Sequence, residues 1–95
     1  MNNQTLTIRR ADVGDAAALA RLAALDSSSP LLGDALVAEV GEEVWAAVEI
    51  ESGSAIADPF RPSGDLVELL RFRVERMRAQ LGRRGRLGSL LPRAA

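Results

Sequence analysis

Between Ala35 and Asp58 apolar residues dominate, with two short breaks at which a glycine sits beside a small polar or acidic residue. Ala35–Val40 and Val44–Ile50 are rich in β-branched side chains and flank Gly41-Glu42, whose leading glycine suits a type II′ hairpin. Ser52-Gly53 turns the chain into a third strand, Ser54–Asp58. With two residues in each turn, one face of this meander carries Leu36, Ala38, Val40, Trp45, Ala47 and Ile56. The other carries Val37, Val44, Ala46, Val48, Ile50, Ala55 and Ala57. Both faces are apolar, so the sheet requires a helix on each side.

The flanking segments supply those helices. Thr5–Arg9 alternates as a strand, and Asp12 to Asp15 opens a helix that runs through Ala16–Leu25, with Leu19, Leu22 and Ala23 on one stripe. Asp26–Pro30 ends it, and Leu31–Asp34 leads into the meander. After the third strand, Asp58-Pro59-Phe60-Arg61-Pro62 is a stiff connector. From Asp65 to Leu81, Leu66, Leu70, Val74, Met77 and Leu81 recur at steps of four and three, with Val67 and Leu69 widening the stripe. This spacing predicts an amphipathic helix about 25 Å long. Its polar face carries Glu68, Arg71, Glu75 and Arg78, and Gly82 is the expected C-cap. The expected fold class is therefore α/β (α+β): a four-stranded, mainly antiparallel sheet in the element order β-α-β-β-β-α, with helices on both faces. Residues 1–82 make one domain, and 83–95 read as a basic, mostly disordered tail.

Composition narrows the chemistry. The 95 residues contain no cysteine, histidine or tyrosine, which removes disulfides, thiolate metal sites, the usual zinc ligand and the usual neutral-pH base. No apolar run approaches the roughly 20 residues of a membrane span, and Met1–Thr5 lacks the basic start and apolar core of a signal peptide. A cytoplasmic location is expected. Charge is segregated: residues 1–60 hold three arginines and ten acids, and residues 61–95 hold nine arginines and three acids. Such a chain can pair its halves within one molecule or between two.

The element order resembles the N-terminal half of the GNAT-type N-acetyltransferase fold. Ile8–Asp12 followed by Gly14-Asp15 looks like that family's opening strand and helix start, and Leu36–Val48 looks like its second and third strands. In the family, Arg or Gln, two spacers, Gly, one spacer and Gly or Ala follow the fourth strand and offer backbone N–H groups to the coenzyme A pyrophosphate. The equivalent place here reads Arg61-Pro62-Ser63-Gly64-Asp65-Leu66. The resemblance makes Arg61, Ser63 and Gly64 the cofactor-binding candidates and acetyl-CoA the candidate cofactor. The last position departs from the pattern, because a leucine side chain obstructs close backbone approach and Asp65 sets a negative charge beside the phosphates. The same residues also read as a plain helix start, with Ser63 as N-cap, Gly64 permissive and Asp65 complementing the dipole.

Other candidates are weaker. Arg84–Leu91 has the wording of a phosphate loop with the wrong spacing and no strand before it. Glu39 or Glu49 could act as a base through water, but each reads better as a polar strand position. Ser27–Ser29 has no histidine to activate it, and Glu42, Glu43, Glu49 and Glu51 lack calcium-loop spacing. The expected function is a non-catalytic GNAT-like interaction or assembly module. The alternatives are acyl-CoA binding or N-acetyltransferase activity completed by dimerisation, and a basic C-terminal arm that binds nucleic acid or an anionic surface. A homodimer is expected at the exposed Ser54–Asp58 edge or through the Asp65–Leu81 helix.

Overall fold

The computed structural model describes the backbone of residues 5–90 and the side chains of residues 5–81. The elements are β1 (Leu6–Arg10), a single 3-10 turn (Val13–Asp15), α1 (Ala16–Leu25), β2 (Ala35–Val40), β3 (Glu43–Glu49), β4 (Ala55–Ala57) and α2 (Gly64–Leu90). The four strands form one antiparallel sheet in the order β1-β2-β3-β4. The class and element order are those expected from the sequence, with a helix on each face. Among the described residues no helix is long and apolar enough to cross a membrane.

Gly41-Glu42 does close a two-residue hairpin, pairing Val40 with Glu43. Gly41 has a φ of 66° and Glu42 has no positive φ, which is the type II′ pattern. Two residues later the register changes: Glu39 faces Val44, but Ala38 faces Ala46. Trp45 is thus the extra residue of a β-bulge. A bulge shifts parity by one, and everything beyond it changes face relative to β2.

The observed faces follow from that shift and correct the expected ones. Leu36 and Ala38 lie with Ala46, Val48 and Ile50 against Leu70 and Val74 of α2. Val37, Val44, Ala47 and Ile56 lie against Leu22 and Ala23 of α1. The expectation had set Leu36 and Ala38 beside Ala47 and Ile56, a grouping that an unbroken ladder would produce. The relation of β4 to β3 is as expected, with Ile56 beside Ala47, and Ala55 and Ala57 on the opposite face. It holds although the β3–β4 loop is longer than two residues: Glu49 N–H donates to Ser54 O at 2.8 Å, leaving four residues in the loop. Lengthening that loop by two preserves parity.

The 3-10 turn that leads into α1 and the C-terminal end of α1 are both closed locally. Asp12 accepts the Gly14 N–H at 2.8 Å, while Asp15 accepts the Asp12 N–H at 2.7 Å, a reciprocal capping box. At the other end Ser28 N–H reaches Ala23 O at 2.9 Å and Ser27 N–H reaches Ala24 O at 3.2 Å. This is a Schellman closure in which Ser27, at φ 51°, occupies the left-handed position usually given to glycine.

α2 begins one residue earlier than expected and continues to Leu90, so Gly82 lies inside the helix rather than capping it. A glycine in a helix costs about 1 kcal/mol relative to alanine, and the surrounding arginine and leucine residues are good helix formers. The tail expected to be disordered is therefore helical as far as residue 90. The rest of that expectation falls on 91–95, outside the described residues. At 27 residues, α2 is about 40 Å long.

Ser27→Gly relieves the left-handed strain at the end of α1. Chemical denaturation should show the variant about 0.5 to 1 kcal/mol more stable than the parent chain; an unchanged or lower midpoint would mean that Ser27 is not strained.

Candidate functional site

Three polar side chains are buried among the described residues: Asp15, Asp58 and Ser63. Two of them organise the connector between β4 and α2, where the pyrophosphate-loop candidate lies. Asp58 is its hub. Its N–H donates to Trp45 O at 2.9 Å, closing the end of the β3–β4 ladder. One carboxylate oxygen accepts the Phe60 N–H at 2.8 Å, and the other lies 3.5 Å from the Arg21 guanidinium. Its carbonyl accepts both the Arg61 N–H at 3.2 Å and the Ser63 hydroxyl at 3.0 Å. Arg21 crosses from α1 to bond the Val44 carbonyl at 2.8 Å. The connector's polar groups are thus bonded largely to one another and to the sheet end.

Arg61, Ser63 and Gly64 lie within four residues of one another in this turn but do not converge. The Arg61 guanidinium lies 5.2 Å from the centre of the Trp45 ring and 2.9 Å from a Glu43 carboxylate oxygen. The same oxygen accepts the Trp45 indole N–H at 2.9 Å. Arg61 and Glu43 are each about half exposed, so their pairing is worth about 1 kcal/mol or less, with the ring contact adding about 0.5 to 1. Ser63 turns inward, and its carbonyl accepts the first helical bond, from Val67 N–H at 3.0 Å. That places Ser63 at the N-cap position, although its hydroxyl bonds Asp58 rather than the helix. Gly64 is exposed with open space around its Cα, and Leu66 packs into the core beneath α2. Leu66 therefore does not obstruct the turn, contrary to the steric argument from its side chain. The charge balance still disfavours a phosphate, because Glu43, Asp58 and Asp65 outnumber Arg21 and Arg61 around this turn.

The bulge at Trp45 is what assembles the cluster. With no residue opposite it on β2, the indole is free to lean along its own strand toward Glu43 and Arg61. From the sequence, Arg21 was not singled out, Trp45 was placed only on a sheet face, Asp58 only in the connector, and Glu43 only among the weak metal candidates. Two signals were present: Arg21 is the lone cation in an alanine- and leucine-rich helix, and Asp58 directly precedes a proline.

The remaining carboxylate candidates have structural partners. Arg9 holds Asp15 through two bonds of 2.8 Å each and donates its Nε to Glu39 at 3.0 Å. Glu49 accepts the Leu32 and Gly33 amides at 3.1 and 2.7 Å and also the Ser52 hydroxyl, which pins the loop before β2. These bonds, first that of Ser52 and then that of Gly33, hold the Glu49 carboxyl below its ordinary range. Ser27–Ser29 follow the α1 closure, with the Ser28 hydroxyl on the Asp26 carbonyl at 3.1 Å. No group of three or more carboxylates among the described residues is placed to hold a metal ion. An open cavity of about 430 Å³ lies at the opposite end of the sheet, lined by Arg10, Asp34, Ile50, Glu51, Arg78 and Leu81.

Comparison of the chain with protein-family models, with curated proteins and with solved structures finds no match.

A buried carboxylate with a displaced pKa can mark a catalytic site, but Asp15 sits in a closed clamp joining β1 to the start of α1. The Arg9 bonds, then the Asp12 amide, bring its pKa from an ordinary 3.8 down to about 2. The folded value is the lower one, so Asp15 stabilises the fold above pH 4 and loses that contribution as pH falls toward 2. The shift corresponds to about 2 kcal/mol. Denaturation of wild type and Asp15→Asn should differ most near neutrality and converge by that amount in acid; a difference independent of pH would contradict the clamp.

Proposed function

We propose that this chain is a non-catalytic interaction and assembly module of GNAT-like architecture, acting in the cytoplasm. The reading rests chiefly on the turn before α2. The cation that a pyrophosphate would use is directed at Trp45 and Glu43, the neighbouring hydroxyl faces the Asp58 carbonyl, and acidic side chains prevail around the helix start. A diphosphate arriving there would meet net negative charge, and helix-terminus attraction of about 1 kcal/mol does not offset two such repulsions at close range.

A second reading, acyl-CoA binding or N-acetyltransferase activity completed by dimerisation, is favoured by one observation. Gly64 is exposed, with no atom near a Cβ built on it, and Leu66 points into the core. The first amides of α2 therefore lie beside open space, and the hold of Glu43 on Arg61 is weak enough for a ligand to displace.

Calorimetric titration with acetyl-CoA separates the two. The assembly reading expects no saturable heat. Saturable heat that disappears in Gly64→Glu would establish the second reading instead, and the open space at Gly64 makes that variant a clean probe, since the larger side chain displaces nothing.

A further inference from the structure

Among the described residues, the opposite charges of the two halves of the chain barely meet. Five ion pairs occur among the described residues, and only Arg61–Glu43 joins the basic C-terminal half to the acidic N-terminal half. Arg71, Arg73, Arg76 and Arg78 of α2 have no carboxylate within 4 Å among the described residues. Neither Glu68 nor Glu75 of the same helix closes on them.

The outer face of α2 has a pattern of its own. Opposite the buried stripe of Leu66, Leu70, Val74 and Met77, the helical repeat aligns Asp65, Glu68, Phe72, Arg76 and Ala79. Phe72 lies at the middle of that row, 57 % exposed, with the Arg76 guanidinium 5.8 Å from its ring. A hollow of about 320 Å³ lies beside it, lined by Phe72, Arg76, Ala79 and Gln80. The row is acidic toward its N-terminal end, aromatic at its centre and basic beyond.

We infer that the outer face of α2 pairs with the same face of a second copy, antiparallel about a two-fold axis through Phe72. This rests on the assembly reading and names its partner. A row that is acidic at one end and basic at the other is complementary to itself when reversed, which is the condition for a closed isologous contact. With Phe72 opposite Phe72 of the second copy, Glu68 faces Arg76 on both sides, and Asp65 faces Ala79. The central rings fill the two hollows, and the ion pairs around them fix the orientation. The β4 edge is the less suitable route: it is three residues long, and its Ala57 N–H is already accepted by the Asp26 carboxylate at 3.1 Å.

The test is light scattering and sedimentation of the whole chain across the micromolar range. Wild type should pass from monomer to dimer as concentration rises, and Phe72→Glu and Arg76→Glu should each weaken association at least tenfold. The double variant Glu68→Arg with Arg76→Glu should recover it, because the reversed charges meet again across the axis. All three side chains are exposed, so circular dichroism should show the variants folded like the parent.

A dimer indifferent to Phe72→Glu would overturn the helix pairing while leaving the assembly reading intact. A wild-type monomer at high micromolar concentration would overturn the pairing, and a salt-sensitive shift of duplex DNA by that monomer would assign the free arginines to an anionic polymer. Saturable heat with acetyl-CoA would count against the assembly reading itself, whatever the mass.

Discussion

The structure depends on a pair of strands that must be dry on both sides. Val37, Ala38, Ala46, Ala47 and Val48 are fully buried, so the β2–β3 ladder has no face left for water. Two requirements follow. Each face needs a helix, and the outer hydrogen-bonding edges of the pair need strands of their own, because buried amides and carbonyls without partners cost free energy comparable to a lost hydrogen bond. β1 and β4 meet the second requirement, and α1 and α2 meet the first. The abundance of alanine at the centre also fits this arrangement, since small side chains let both helices approach the strands closely. Each alanine buries little area, so the larger Leu22, Ile56, Leu70 and Val74 supply most of the apolar burial around the pair.

That same dryness explains which parts of the fold were legible in the sequence. β1 alternates polar and apolar residues, and α2 repeats its leucines at helical spacing, so each could be read directly. Val44 to Val48 is apolar at every position, and no polar side chain marks which residues face which helix. Parity had to be carried forward from the hairpin, and the bulge at Trp45 reversed it for β2. The error in the length of the β3–β4 loop did no such damage, because two extra residues leave every side chain on its own face. The end of α2 was misread for a different reason. Glycine is a natural place for a helix to stop only when something else favours stopping, and Gly82 is followed directly by two good helix formers, Arg83 and Arg84, with Gly85 and Gly88 carried inside the same helix.

At the connector, spacing located the right segment but not its chemistry. The reading of Arg61-Pro62-Ser63-Gly64 supplied a cation, a hydroxyl and a permissive backbone, for a phosphate or for a plain helix start. What each one does is decided by residues far from it in sequence. Trp45 and Glu43 engage the Arg61 side chain, and they reach it because the bulge re-aims the indole. Asp58 takes the Ser63 hydroxyl because it has already been fixed by Phe60, Arg21 and the end of the β3–β4 ladder. Local sequence states what a turn can offer, and tertiary contacts decide which of those groups remain available. Leu66 shows the converse, since a residue that spacing marked as an obstacle is drawn into the core by the amphipathic repeat of the helix it begins.

The failure of the two charged halves to neutralise each other has a geometric cause. An amphipathic helix that buries its leucine stripe against a sheet must turn its polar stripe outward, on the far side of a cylinder about 10 Å across. The acids of the sheet lie at its rims and loops, as Glu43 and Glu49 do, and not under the helix, because the surface beneath α2 is the dry face just described. The helix's own thickness sets Arg76 apart from those acids, while Arg71 and Arg78 at its flanks reach the Gly53 carbonyl, at 3.4 Å, and the cavity shared with Asp34 and Glu51 without closing an ion pair. Among the described residues, only Arg61, at the point where the chain enters α2, pairs with an acid of the N-terminal half. The burial that holds the fold together is thus what turns Arg76 outward beyond Phe72, where a second surface can supply the opposite charge.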